Sequence, residues 1–194
     1  MYSFWEDKHK HNNEYWLSNT NDYKYILDLH GIDININNKK ILDIGIGSGN
    51  LIRYLYSRNI VFSCDISQNA LNNVKDFSKT YLTHELNSIE PVDIAICNLV
   101  FQHCDDTEVQ RILNDVQLND SGFFTFQFAF LRENEEPNDN VKRLINLGTH
   151  HFRSLEKIKD MVINANKKIV YISNPIHYYN DENFSWYIVK ISNN

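Results

Sequence analysis

The sequence lacks the features that mark membrane, secreted and nucleic-acid-binding proteins. No apolar run approaches the roughly 20 residues that a membrane-spanning helix needs. Residues 1–10 lack the basic start and apolar core of a secretory signal. The net charge is −6, so no excess of positive charge attracts nucleic-acid phosphates. We therefore expect a cytoplasmic protein that acts on neither membranes nor nucleic acid.

Cysteine is scarce and is not spaced for a metal site or a disulfide framework. Cys64, Cys97 and Cys104 form no C-x-x-C pair, and their number is odd. The histidines do not show the H-E-x-x-H spacing of a zinc-binding helix. We therefore expect no bound metal and no disulfide bond, as is usual in the cytoplasm.

Strands and helices alternate along the chain. From Lys39 to Ala165, short apolar runs typical of buried parallel strands are followed by segments of helical spacing. This alternation predicts an α/β fold with a Rossmann-like, doubly wound, mostly parallel seven-stranded sheet. Two final strands, over 169–173 and 186–191, follow each other without a helix, which predicts an antiparallel edge strand.

The 194 residues fit one domain with four parts. Residues 1–38 form an N-terminal helical or lid segment, 39–130 the core, 131–153 a variable insertion, and 154–194 a C-terminal helix and strands.

Several polar residues and glycines predict where elements begin and end. Gly31 ends a helix over 23–29. Ser67 and Ser154 are N-caps, and Asp105 has capping-box spacing to a glutamate three residues later. The cluster 119–122 (Asn-Asp-Ser-Gly) predicts a turn before the fifth strand.

A glycine-rich turn, D-x-G-x-G-x-G over 43–49, follows the first strand and opens a helix. Glycines let the backbone turn sharply and approach a ligand, and the helix start adds unpaired N–H groups. In the G-x-G-x-x-G register of dinucleotide enzymes, Asn50 would replace the last glycine, which disfavours a dehydrogenase. Asp65 lies at the tip of the second strand, ~20 residues later, where a carboxylate can accept hydrogen bonds from ribose hydroxyls.

Residues 43–49 resemble motif I of the class I S-adenosylmethionine-dependent methyltransferases. Asp65-Ile66-Ser67 resembles the D-x-S of this family, and 91–103 resembles the fourth-strand segment of its small-molecule members. The usual Gly-Asp pair before the fourth strand is missing, and Glu85 and Leu86 stand near its place. The resemblance implies S-adenosyl-L-methionine as cofactor, S-adenosyl-L-homocysteine as product, and these cofactor-binding residues: Asp43, Gly45, Ile46, Gly47, Asp65, Ile66, Glu85, Leu86, Asn98 and Leu99.

Methyl transfer to a hydroxyl requires removal of a proton, and histidine suits that task near neutral pH. His103 follows the fourth strand, at the edge where ligands bind in open α/β sheets, so it is the candidate catalytic base. Its alternative role is to bond the loop before Asp105. His150 and His151 follow the variable segment in which the family builds its acceptor pocket, and they contact either substrate or solvent.

The aromatic residues near the amino terminus have two interpretations. In the first, they belong to a helix that packs its rings on the sheet edge. In the second, they form a lid over the cofactor, with Trp5, Tyr15 or Trp16 held near the sulfonium by cation–π attraction.

We expect methyl transfer to a small-molecule acceptor, with a hydroxyl of a sugar or secondary metabolite as the leading candidate. The alternatives are a small-amine N-methyltransferase and a non-catalytic cofactor-binding partner or sensor protein.

Overall fold

Seven strands of the chain form one mixed sheet. The computed structural model describes residues 5–7, 10, 22–131, 136–148, 150–176 and 184–194. The strands are β1 (Lys40–Ile44), β2 (Ile60–Asp65), β3 (Lys79–Leu82), β4 (Val92–Cys97), β5 (Leu118–Leu131), β6 (Lys167–Ile172) and β7 (Phe184–Asn193). The α-helices with assigned bounds are α1 (Asp22–Leu29), α2 (Asn50–Leu55), α3 (Gln68–Asn72), α4 (Asp106–Asp115), α5 (Asp139–Asn146) and α6 (Leu155–Asn164), and 3-10 helices span Thr83–Ser88 and Phe101–His103.

The strand order confirms the expected Rossmann-like topology. The strands lie in the order β3-β2-β1-β4-β5-β7-β6, and those from β3 to β5 pair in parallel. β7 pairs antiparallel with both β5 and β6. The antiparallel pair therefore lies at one edge as predicted, although the reversed strand β7 lies one position in from the edge strand β6.

Two apolar cores cover the two faces of the sheet, which confirms the doubly wound arrangement. Side chains alternate between faces along each strand, so Leu42 and Ile44 enter one core while Ile41 enters the other. Helices α4 and α6 pack on the first face, and α1, α2 and α3 on the second. Their buried side chains are Val109, Ile112, Leu113, Ile158 and Val162 on the first face, and Leu27, Leu51, Ile52, Leu55, Ala70 and Leu71 on the second.

The predicted helix ends are confirmed by hydrogen bonds. Ser67, Asp105 and Ser154 each accept the backbone N–H three residues later. Gly31 has φ 57°, and the Ile32 N–H donates to the carbonyl oxygen of Leu27, the pattern that closes a helix with a left-handed residue. The predicted capping box at Asp105 forms only in part.

Glu108 explains that difference. Its carboxylate pairs with Arg111 on the same helix, with Oε1 2.6 Å from the Arg111 Nη2. The i,i+3 spacing on a helix surface makes this pair available locally.

The turn predicted at 119–122 is wrong. These four residues belong to β5, opposite the single residue Asp93 of β4, because Leu118 pairs with Val92 and Phe123 pairs with Ile94. The insertion is a bulge, a common way for a strand to absorb extra residues. The Asn119 side chain donates to Asp93 Oδ1 at 3.0 Å, which holds the bulge against β4.

The helices among the described residues include none that is long and apolar enough to cross a bilayer.

Gly122 provides a test of the bulge. A Cβ at this position would lie 2.7 Å from the backbone oxygen of Val92, which cannot rotate away. We expect Gly122→Ala to lower the free energy of unfolding by about 2 kcal/mol or more, the range for overpacking. Urea denaturation measures it. Ser121→Ala is the control, because Ser121 is the exposed neighbour of Gly122 in the same bulge; equal losses in the two variants would contradict the packing argument.

Candidate functional site

The carboxyl ends of β1, β2 and β4 meet at one edge of the sheet, where ligands bind in open α/β folds. The turn from β1 to α2 lies at this edge. The Gly45 N–H donates to the carbonyl oxygen of Cys64 at 2.7 Å, so the turn is tied to the end of β2. Gly49 precedes α2 as its N-cap residue, with φ 75°.

The three glycines of this turn differ in how closely other side chains pack against them. Gly45, Gly47 and Gly49 all have positive φ, a conformation that disfavours other residues. A Cβ on Gly45 would lie 2.2 Å from Val100 Cγ2, and one on Gly49 would lie 2.2 Å from Val74 Cγ1. A Cβ on Gly47 would meet no atom within 4 Å. Gly45 and Gly49 therefore seat the turn against the fold, and Gly47 faces open space.

Two buried carboxylates flank this turn. Asp43 is 5% exposed and Asp65 is 4% exposed. Burial, and then the charge of Asp65, raise the pKa of Asp43 from 3.8 to about 7. Asp65 Oδ1 accepts the Ser67 N–H at 2.8 Å, which fixes its carboxylate at the end of β2. Ionising both carboxylates in this buried site costs desolvation free energy. A cationic or hydrogen-bond-donating ligand would offset that cost.

The neighbouring predicted residues are divided between core and surface. Ile46 and Leu86 are buried in the two apolar cores, so their side chains support the fold. Ile66 is half-buried. Glu85 is exposed, and its Oε2 accepts the Leu82 N–H at 2.8 Å, at the start of the 3-10 helix after β3.

The segment after β4 is held in an unusual backbone conformation. Leu99 has φ 56°, which is rare for a residue with a side chain and is concentrated at functional sites. Gln102 Nε2 donates to the Leu99 carbonyl oxygen at 2.6 Å and so stabilises the turn. Leu99 is 42% exposed, while Asn98 is half-buried. Val100, the next residue, is the side chain that packs against Gly45.

His103 lies in an aromatic cluster beside this turn. Its ring centroid is 5.0 Å from that of Trp5 and 4.8 Å from that of His150. Gln102 Nε2 lies 3.2 Å from His103 Nε2. Burial, and then the neighbouring histidines His103 and His151, lower the pKa of His150 to about 4, so His150 is neutral at physiological pH.

Arg153 is a residue of this region that sequence reasoning missed. Its Nη1 donates to the Phe101 carbonyl at 2.8 Å, and its Nη2 to the Cys104 carbonyl at 2.5 Å. Its Nε pairs with Asp106 Oδ1 at 2.8 Å. The guanidinium therefore holds both ends of the turn that carries His103. No local pattern distinguishes Arg153 from a surface arginine, because its partners lie about 50 residues earlier in the chain.

Other predicted or polar groups lie elsewhere. Tyr15 and Trp16 are outside the described residues, and His84 is exposed. A cavity of about 590 Å³ lies at the amino ends of β1 and β2, on the opposite edge of the sheet, lined by residues including Arg58 and Asp93. Within the described ranges, no group of His, Cys, Asp or Glu is placed to hold a metal ion.

Comparison with known proteins gives one family match and many structural matches. The family described as "Methyltransferase domain" matches residues 42–117, from β1 to the end of α4. Comparison with curated protein sequences gives no match.

Three similar solved structures illustrate the shared fold. Geranyl diphosphate C-methyltransferase from Streptomyces coelicolor A3(2), with Mg²⁺, geranyl diphosphate and S-adenosyl-L-homocysteine, has a TM-score of 0.65 at 10% identity, over 89% of this chain and 80% of that one. Magnesium protoporphyrin IX methyltransferase from Synechocystis PCC 6803, with bound S-adenosylhomocysteine, has 0.61 at 13%, over 90% and 83%. Phosphoethanolamine N-methyltransferase 2 from Haemonchus contortus, with S-adenosyl-L-methionine, has 0.68 at 15%, over 89% of this chain and 52% of its own length.

The turn glycines give a second test. We expect Gly47→Ala to lower the free energy of unfolding by about 1–2 kcal/mol, the cost of a left-handed backbone with a Cβ. Gly49→Ala pays that cost and also overlaps Val74, which adds about 1–3 kcal/mol. Denaturant unfolding of the two variants measures the difference. Equal losses would show that Val74 moves aside and that packing does not require glycine at Gly49.

Proposed function

We propose that this chain is a class I S-adenosylmethionine-dependent methyltransferase and that it transfers a methyl group to a hydroxyl of a small molecule; the family match and the shared fold support the proposal. The observation that carries the proposal is the open space at Gly47, between buried carboxylates at the ends of β1 and β2. S-adenosyl-L-methionine supplies an activated methyl group on a sulfonium. The residues of the chain have to bind it, align the acceptor and exclude water.

The cofactor fits the donor and acceptor groups at this edge. Asp43 faces the charge of Asp65 and holds a raised pKa, so a cationic methionine end stabilises its ionised form. Asp65 offers carboxylate oxygen to the ribose hydroxyls. Gly45, Ile46 and Gly47 bring backbone close to the nucleoside, because no side chain projects at Gly47.

We place the contacts to the adenine and sulfonium ends of the cofactor in the segments that follow β2, β3 and β4. We assign Ile66, Glu85 and the backbone of Leu86 to the adenine side, because the side chain of Leu86 is buried in the first core. Because Glu85 Oε2 already accepts the Leu82 amide, contact with the adenine amino group falls to Oε1. Asn98 and Leu99 border the methionine end.

The acceptor side is the cluster around His103. Transfer forms a bond from the acceptor oxygen to the methyl carbon and breaks the bond from that carbon to sulfur; the hydroxyl proton goes to His103. His150 is a weak base because of its lowered pKa, which favours His103 for this step. Trp5 packs edge-on against His103, which supports an N-terminal lid over the reacting groups.

The similar structures act on different classes of acceptor, so the acceptor is proposed from the residues of this chain. The neighbours named above act on a diphosphate, a porphyrin and a phosphorylated amine, as C-, N- and other methyltransferases. In this chain, the buried guanidinium of Arg153 is used by backbone carbonyls and Asp106, so it supplies no phosphate site. This favours an uncharged hydroxyl acceptor. Small-amine N-methylation is the alternative, and cofactor binding without turnover on a broad acceptor panel would indicate a sensor.

Asp65 tests cofactor binding. We expect Asp65→Ala to weaken S-adenosyl-L-homocysteine binding by about 1–3 kcal/mol, because ribose hydroxyls lose their acceptor. Calorimetry measures it. Asp93→Ala is the matched control: its carboxylate accepts the Lys40 amide at the opposite end of the sheet, so we expect lower stability with unchanged affinity. Unchanged affinity in Asp65→Ala, or tighter binding of a nicotinamide dinucleotide, would contradict the assignment.

His103 tests the chemical step. We expect His103→Ala to reduce turnover by about 100-fold or more, the usual contribution of a general base, while S-adenosyl-L-homocysteine affinity is nearly kept. The measurement is product formation on a panel of hydroxyl and amine acceptors, with the methylated atom identified by mass spectrometry. His150→Ala distinguishes the two rings, since we expect a smaller loss. Full turnover of His103→Ala across the pH range would remove it as the base.

A further inference from the structure

His30 is a fully buried polar residue far in sequence from the groups that it contacts. It caps the carboxyl end of α1, where Gly31 and Ile32 close the helix against the second core. The side chain is 0% exposed. The Lys190 ammonium donates to the Gly31 carbonyl at 3.1 Å and fixes the helix end on β7. The docking of α1 on the sheet therefore fixes the position of the His30 imidazole.

Both ring nitrogens of His30 have partners from the sheet. Nδ1 lies 2.8 Å from Thr125 Oγ1 on β5, and Nε2 lies 3.1 Å from Asn98 Oδ1 after β4. Burial lowers the pKa of His30 to about 4, so the ring is neutral and has one N–H donor and one acceptor. An amide oxygen only accepts, so Nε2 carries the hydrogen and Nδ1 accepts from the Thr125 hydroxyl.

We propose that His30 is a positioning residue for the cofactor site, which turns the amide of Asn98 so that its NH₂ group faces the ligand. This inference rests on the proposed function, because Asn98 borders the methionine end of the cofactor. With Oδ1 engaged by His30, the amide nitrogen is the group left to meet a ligand. The methionine carboxylate is an acceptor, so it requires this orientation of the amide.

The orientation of the Asn98 amide and the tautomer of His30 depend on each other. If the Asn98 amide rotated by half a turn, its NH₂ would face the Nε2–H of His30, and two donors would meet in a buried site. The flipped amide is compatible only with the reversed tautomer, in which Nδ1 donates to the Thr125 hydroxyl and Nε2 accepts from Asn98, so the tautomer reports the orientation of the amide. The orientation of the Asn98 amide is therefore coupled to the docking of α1.

The test is a double-mutant cycle on S-adenosyl-L-homocysteine affinity, measured by calorimetry. We expect His30→Phe to weaken binding about fivefold to twentyfold, because Asn98 loses the bond that orients it. His30→Gln keeps an N–H donor and should remain within about twofold of the wild type. In the Asn98→Ala background, His30→Phe should have no further effect.

Leu27→Val separates this role from simple docking of α1. Leu27 is buried in the same helix and contacts the second core rather than Asn98, so the variant should lower the melting temperature and leave the affinity unchanged. If Leu27→Val weakens binding as much as His30→Phe, helix docking alone explains the effect and the proposal is wrong. An undiminished effect of His30→Phe in the Asn98→Ala background overturns it as well.

A measurement without ligand keeps this inference distinct from the proposed function. Nitrogen NMR of the His30 ring in the unliganded protein should show hydrogen on Nε2 at neutral pH, and hydrogen on Nδ1 would overturn the proposal. If the wild-type protein does not bind S-adenosyl-L-homocysteine, the proposed function fails, whereas the ring tautomer still decides the orientation of Asn98.

Discussion

The contact of two valine side chains with a glycine turn is the constraint on which the site depends. Val100 and Val74 leave no room for a Cβ at Gly45 and Gly49, so the turn after β1 packs directly onto the segment after β4 and the end of α3. This contact places the end of β1, the end of β2 and the segment after β4 around one opening. Gly47 is the part of the turn that the packing leaves uncovered.

The electrostatics of the site follow from that packing. Burial raises the pKa of Asp43 from 3.8 to about 7, so in the free protein this group favours folding most below pH ~4. Its contribution is lost as the pH rises toward about 7, because the ionised form is worse solvated in the folded state than in the unfolded state. A positively charged ligand reverses that penalty. The fold thus keeps a carboxylate at a cost that ligand binding relieves.

The other half of the site is built from parts of the chain that lie far apart in sequence. Arg153 fixes the turn of His103, and His30 contacts Asn98 through the interior. Trp5 joins His103 from the amino-terminal side. The turn that carries His103 is therefore supported by residues from before the sheet and after its fifth strand.

Local patterns in the sequence determined the fold class and several helix ends. Apolar runs predicted the strands, serine and aspartate caps predicted helix starts, and the spacing of Asp43, the glycines and Asp65 indicated the ligand edge. The strand and cap predictions succeed because backbone conformation, capping and alternation of side chains depend on neighbours within a few residues, whereas the ligand edge stays a prediction. The turn predicted at 119–122 was wrong, because the composition of a turn does not distinguish it from a bulge. The partner of this bulge, Asp93, is remote in sequence.

Only the tertiary structure decided which residues share the site and what state they hold. The sequence gives no sign that His30 reaches Asn98 and Thr125, that Arg153 holds the His103 turn, or that Leu86 is used by the core. It also cannot assign the raised pKa of Asp43 or the lowered pKa of His150. The contacts of His30 and Arg153 join residues about 50 to 100 positions apart, and the pKa shifts arise chiefly from burial, so both exist only when the sheet brings these segments together.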